Sequence, residues 1–76
     1  MRKIAFMEAK MSKQYGYEIR EKETNFLAGD DGEIYYPTKE LAMHSAKRYT
    51  ENFLIPNEYN GKALEDFTII IRELND

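Results

Sequence analysis

The chain has 76 residues, no cysteine and a formal net charge of −3 at pH 7. This length predicts a single domain, residues 1–76, and the missing cysteines exclude disulfides and cysteine-based zinc sites. No apolar run approaches the roughly 18 residues of a membrane span, and Glu8 and Lys10 interrupt the N-terminal apolar residues, so no signal peptide is expected. We predict a cytoplasmic protein, because a cysteine-free chain suits a reducing compartment.

Charge is distributed unevenly along the chain. Residues 1–22 hold six basic and three acidic side chains, whereas the remainder holds five basic and eleven acidic ones. Such a division either gives the N-terminal part a basic surface for an anion or lets the two parts attract each other within one fold. We favour the second interpretation, because the net charge is too small to define a class of partner.

The N-terminal half contains the predicted strands. Residues 1–14 fit either a helix or a strand. We favour a strand because Ala5, Met7, Ala9 and Met11 then line one face, whereas a helix scatters the apolar side chains. Residues 15–22 alternate apolar and polar side chains and predict a half-buried strand. Residues 26–36 predict a hairpin, with a turn at residues 29–32 and a return strand over residues 33–36.

Residues 38–53 are the clearest amphipathic helix. Thr38 is a suitable N-cap, and Pro37 ends the extended segment before it. The apolar side chains recur at spacings of four, three and four, which places them on one stripe: Ala42, Ala46, Tyr49 and Phe53. Pro56 is expected to mark the last point that this helix can reach.

The C-terminal part contains a turn of helix over residues 63–66 and a strand over residues 67–74. Ile69 and Ile71 share one face of this strand, while Ile70 points to the other. Apolar residues on both faces are typical of a central strand. The element order is therefore β-β-β-α-β. It predicts an α+β fold, in which one main helix packs on one face of a small, mostly antiparallel sheet of three to four strands.

Catalytic and metal-binding residues are not indicated. His44 is the only histidine, and it falls on the charged face of the helix, where a solvated side chain is expected. Asp30, Asp31 and Glu33 lack the spacing of a calcium loop and suit a turn instead. The sequence shows no phosphate-binding glycine loop and no nucleophile beside a base. We predict a protein that is not an enzyme and has no cofactor or metal.

An interaction surface is predicted on the sheet face that the helix leaves open. Ile70 lies there, and a monomer rarely exposes a large apolar patch. Met7 and Met11, or a second subunit, would cover it. We therefore predict a non-enzymatic regulatory or accessory protein that acts through protein–protein contact as a homodimer, with Met7, Met11, Ile70 and Arg72 in the interface.

Nucleic-acid binding is the alternative. Tyr15 and Tyr17 would stack on bases, and Lys10, Lys13 and Arg20 would contact phosphates. The acidic character of the whole domain weighs against this interpretation, because phosphate contacts dominate the affinity of such proteins.

Overall fold

A computed structural model of the chain describes residues 13–74. Three strands, β1 (Gln14–Glu21), β2 (Leu27–Asp30) and β3 (Phe67–Leu74), form one antiparallel sheet in the order β2-β1-β3. A helical region over residues 39–57 lies between β2 and β3 in the chain and packs on one face of the sheet. The predicted α+β class is therefore confirmed. Residues 1–12, which carry most of the first predicted strand, lie outside the described residues.

The predicted hairpin over residues 26–36 is wrong. Strand β2 pairs with β1, where Gly29 lies opposite Ile19, and residues 33–36 form no strand. Tyr36 instead makes an isolated bridge to Tyr15 through two backbone hydrogen bonds of 2.8 and 2.9 Å. The chain leaves the sheet at Asp31, whose amide donates to the Tyr17 carbonyl at 3.1 Å and so continues the pairing with β1 for one more residue.

The prediction that β3 is a central strand is also wrong. Within residues 13–74, β1 is the central strand and β3 lies at the border of the three-stranded sheet. Ile69 and Ile71 face the helix and are half-buried, whereas Ile70 faces the opposite side and is 40% exposed. The isoleucine run thus reflects one covered face and one open face.

The first part of the helical region, α1 (Lys39–Tyr49), begins as the sequence predicts. The Thr38 hydroxyl accepts a hydrogen bond from the Leu41 amide at 3.1 Å, which satisfies one orphan donor of the first turn. Ala42 and Ala46 are fully buried against the sheet. Their small side chains let the helix backbone approach the strands closely.

The helix continues past Pro56, contrary to expectation. A π-helical turn (Thr50–Leu54) follows α1, and a short α2 (Ile55–Asn57) contains the proline. In the wider turn the Ile55 amide donates to the Thr50 carbonyl five residues back. Because proline has no amide hydrogen and its ring crowds the carbonyl four residues back, a widened turn accommodates it better than a regular α-helix.

The π-helical turn also corrects the predicted apolar stripe. Beyond Ala46, the buried positions are Thr50 and Leu54, whereas Tyr49 and Phe53 remain 36% and 42% exposed. The extra residue in the turn shifts the buried face by one position along the chain. Tyr49 and Phe53 stack on each other instead, with ring centroids 5.2 Å apart.

The core lies between the helix and the inner face of the sheet. It consists of Tyr17, Ile19, Ala46, Leu54 and Phe67. The predicted turn over residues 63–66 is present as a 3₁₀ turn (Leu64–Asp66) that leads into β3. Within residues 13–74, no helix is long and apolar enough to cross a membrane.

Candidate interaction surface

We call the sheet face opposite the helix the open face. Register and alternation place nine side chains on it: Gln14, Glu18, Arg20, Leu27, Asp30, Thr68, Ile70, Arg72 and Leu74. Leu27 is 51% exposed and Ile70 is 40% exposed. Glu18 and Arg20 of the central strand pair with each other between Ile70 and Leu27, so the open face has apolar side chains on its two border strands and an ion pair at its centre.

A buried carboxylate anchors one end of the open face. Asp31 accepts a hydrogen bond from the Tyr17 amide at 2.9 Å and pairs with the Arg72 guanidinium at 2.7 Å. Its side chain is 7% exposed. Gly16 lies directly opposite Arg72, and a Cβ at that position would overlap the Asp31 carboxylate. Arg72, predicted as an interface residue, is therefore held in place by Asp31.

A second ion pair lies at the centre of this face. The Arg20 Nε donates to the Glu18 carboxylate, and its Nη1 donates to the Asn25 carbonyl at 2.9 Å. Asn25 has a positive φ of 64° in the turn between β1 and β2. Arg20, which the nucleic-acid alternative assigns to phosphate contact, thus has two partners within the chain.

The other residues that the nucleic-acid alternative assigns to binding do not share one surface. Tyr17 lies in the core on the helix side, where it stacks on Tyr36 with ring centroids 6.1 Å apart, so its ring does not present a surface for a base. Burial raises the pKa of Tyr17 to about 12.

Lys13 forms an ion pair of 2.8 Å with Glu73, and this hydrogen bond raises the pKa of Lys13. Tyr15 is half-buried, and Lys10 lies outside the described residues, as do Met7 and Met11.

The turn after β2 has the chemistry that its residue types predict. The Asp30 carboxylate accepts the Gly32 amide at 3.0 Å, and Gly32 has a φ of 71°. Glu33 follows with a φ of 147°, a strained value for a residue with a side chain. Within the described residues, no group of three or more histidine, cysteine or carboxylate side chains is arranged to hold a metal ion.

A groove on the helix side of the molecule has no counterpart in the sequence analysis. It has a volume of about 410 Å³ and lies between Ile71 of β3 and five residues of α1, namely Lys39, Glu40, Met43, His44 and Lys47. His44 is exposed, as predicted, and lines this groove. The sequence places the lysines and His44 on the charged side of the helical wheel. The position of Ile71 beside them depends on how the helix packs on the sheet.

No protein family model, curated protein or solved structure matches the chain. Its function is therefore inferred from the open face and the groove themselves. The open face offers two exposed apolar side chains, Ile70 and Leu27, on either side of an ion pair. The groove offers a depression between α1 and Ile71 of the border strand.

Proposed function

We propose that this protein is a non-enzymatic regulatory or accessory protein that acts in the cytoplasm by protein–protein contact through the open face. One observation carries the proposal. The helix covers one face of the sheet, and Ile70 and Leu27 remain about half exposed on the other. Contact with a protein surface would remove this apolar area from water, which is the main favourable term in protein association.

The occupant that we propose for the open face is a second copy of the chain. The face carries charges of both signs, so a two-fold axis would place the same patch against itself with opposite charges within reach. Both arginines are already paired inside each chain, Arg20 with Glu18 and Arg72 with Asp31, and the Asp30 carboxylate accepts the Gly32 amide. Paired charges are less costly to bury than isolated ones, so these groups do not oppose association strongly.

Nucleic-acid binding has less support as the alternative. Tyr17 is in the core, Lys13 pairs with Glu73, and Arg20 has partners on the open face. Phosphate contacts would have to displace these internal partners. Protein–protein contact requires no such rearrangement of the described residues.

Light scattering on a sizing column, at low and at high salt, tests the proposal. We expect twice the mass of one chain at both salt concentrations, because an apolar interface is not weakened by added salt. Ile70→Asp should weaken the dimer at least about tenfold, since it replaces an apolar contact of the interface by a charge. Circular dichroism would verify that this variant is folded.

Leu41→Asp is the matched control. Leu41 is an apolar residue of similar exposure, but it lies on the helix and not on the open face. This variant should remain dimeric. A wild-type chain that is monomeric at every concentration would contradict the proposal, and so would a dimer that Ile70→Asp leaves intact.

A further inference from the structure

Strand β3 has a sheet partner on one side. Its eight residues pair with β1, and among the described residues no strand pairs with its other side over residues 67–72. Backbone amides and carbonyls that point outward from such a border are available to another strand. An extended peptide that adds to the border gains main-chain hydrogen bonds along its length.

The groove runs beside this border. Tyr49 of α1 lies against Gly29 of β2, so the opposite side of the helix is the one that faces β3. On that side, Met43 and Ile71 give the groove an apolar floor. A strand added to β3 would place every second side chain over this floor, because successive side chains alternate between the two faces of a sheet.

The rim of the groove is more basic than the chain as a whole. Lys39 and Lys47 stand on it, together with His44 and a single carboxylate, Glu40, whereas the whole chain carries −3. A partner with negative charge would be attracted to this groove and repelled by the acidic remainder of the surface.

The spacing of the two lysines indicates how far apart the negative charges of such a partner should be. Lys39 and Lys47 are eight residues apart in α1, which corresponds to about 12 Å along the helix axis. In an extended strand, residues four apart on the same face are separated by about 13 Å. Two acidic side chains at that separation, with an apolar one midway, would match both lysines and the apolar floor together.

We propose that the groove binds an extended segment of another protein as a fourth strand along β3, and that the segment has the pattern acidic–x–apolar–x–acidic. The acidic side chains contact Lys39 and Lys47, and the apolar one contacts Met43 and Ile71. This site is separate from the open face, and the inference does not depend on the homodimer.

Amide chemical shifts of the full-length chain, titrated with a synthetic peptide, test this inference. The probe is an acetylated and amidated peptide of sequence threonine–glutamate–threonine–valine–threonine–glutamate–threonine. We expect the largest changes within residues 67–72 of β3 and residues 39–47 of α1. Methylating the peptide amides that face β3 should abolish these changes, because the added strand then loses its donors.

Two control peptides isolate the pattern. The first has lysine in place of both glutamates. The second keeps the composition but places the glutamates next to each other, so that they point to opposite faces of the strand. Both should bind at least about fivefold more weakly, since neither matches Lys39 and Lys47 at once.

Charge reversal in the protein completes the test. The double variant Lys39→Glu, Lys47→Glu should bind the glutamate peptide about tenfold more weakly and should prefer the lysine peptide. Arg48→Glu is the matched control, because Arg48 is exposed on the same helix and does not line the groove. It should change the affinity by no more than about twofold.

Three results would overturn the inference. The first is an absence of peptide-induced shifts in β3, or shifts in β3 that are not accompanied by shifts in α1. The second is equal affinity for the glutamate and lysine peptides. The third is unchanged binding of the peptide after methylation of its amides that face β3, which would show that the peptide does not add to the sheet as a strand.

Discussion

The Asp31 carboxylate lies in the space that a side chain at Gly16 would fill. Asp31 directly follows β2, whereas Gly16 lies in the central strand β1 and has neither a positive φ nor a turn to explain its presence there. Its role is to let Asp31 reach the Tyr17 amide and the Arg72 guanidinium. The glycine and the aspartate therefore act as one unit that closes the end of the open face.

Replacing Gly16 should destabilise the fold through this unit. In Gly16→Ala the new Cβ would displace Asp31, leaving its bonds to Tyr17 and Arg72 distorted or broken. We expect a loss of about 2–3 kcal/mol in the free energy of unfolding, measured by urea denaturation. The cost should fall to well under half of that value in the background of Asp31→Ala, because the carboxylate is then already absent. Equal costs in both backgrounds would show that the two residues are independent.

Alkaline pH should weaken the fold through Tyr17. The folded state raises the pKa of this phenol from 10.0 to about 12, so the unfolded chain releases its proton first. Between about pH 10 and pH 12 the folded state binds more protons, and the free energy of unfolding therefore decreases as pH rises, by at most about 1.4 kcal/mol per pH unit. Urea midpoints measured across this interval should fall less steeply for Tyr17→Phe, which has no proton to lose. Parallel pH profiles would contradict the assignment to Tyr17.

Acidic pH should weaken the fold through Glu21. This carboxylate is buried and accepts hydrogen bonds from the Thr24 hydroxyl at 2.6 Å and the Thr24 amide at 3.0 Å, and Lys62 lies 3.3 Å away. The hydrogen bond from the Thr24 side chain is the main cause that lowers the pKa of Glu21. Its stabilising contribution is complete above the pKa of the unfolded chain and is lost as pH falls through the folded pKa.

Thermal midpoints between neutral and acidic pH would measure this loss. Glu21→Gln should flatten the acidic part of the profile. Glu23→Gln is the matched control, because Glu23 also contacts Lys62, at 3.1 Å, but is largely exposed. It should leave the profile close to that of the wild type.

Because of the π-helical turn, we expect the replacement of Pro56 to change the stability of the fold unusually little. A proline inside a regular α-helix costs about 3 kcal/mol, so its removal normally stabilises a protein by a comparable amount. Here the widened turn already accommodates the ring, and Pro56→Ala should change the free energy of unfolding by less than about 1 kcal/mol. Lys47→Pro, in the regular part of the helix, should cost about 3 kcal/mol or more. A large gain from Pro56→Ala would show that the proline is strained.

Local patterns predicted the parts of the fold that local interactions determine. Thr38 caps its helix through a contact three residues away, and Ala42 and Ala46 follow the helical period from that cap. The hairpin prediction failed because β2 pairs with β1 across the turn at residues 22–26, and the chain leaves the sheet after Asp31. Turn residues both precede and follow residues 26–28, so local patterns do not decide with which neighbour this segment pairs.

Candidate sites were predicted unevenly for the same reason. The outward orientation of Ile70 follows from strand alternation. Because the sequence predicts one main helix, and one helix covers one face of a sheet, the sequence also predicts that the other face stays open. The groove was missed because Ile71 and the residues of α1 come together only when the helix lies on the sheet in one orientation. Strand alternation predicts that Tyr15 and Tyr17 share one face of β1, but it does not indicate which face the helix covers. The nucleic-acid alternative therefore places Tyr17 at a surface.

The π-helical turn over residues 50–54 has a consequence for comparing this chain with others. The extra residue moves the inward positions from the phase of Tyr49 and Phe53 to the phase of Thr50 and Leu54. A homologous helix without that turn would reach the same sheet contacts with one residue fewer. Alignments of this chain should therefore allow a one-residue gap between Ala46 and Leu54, where a gap inside a helix would ordinarily be penalised.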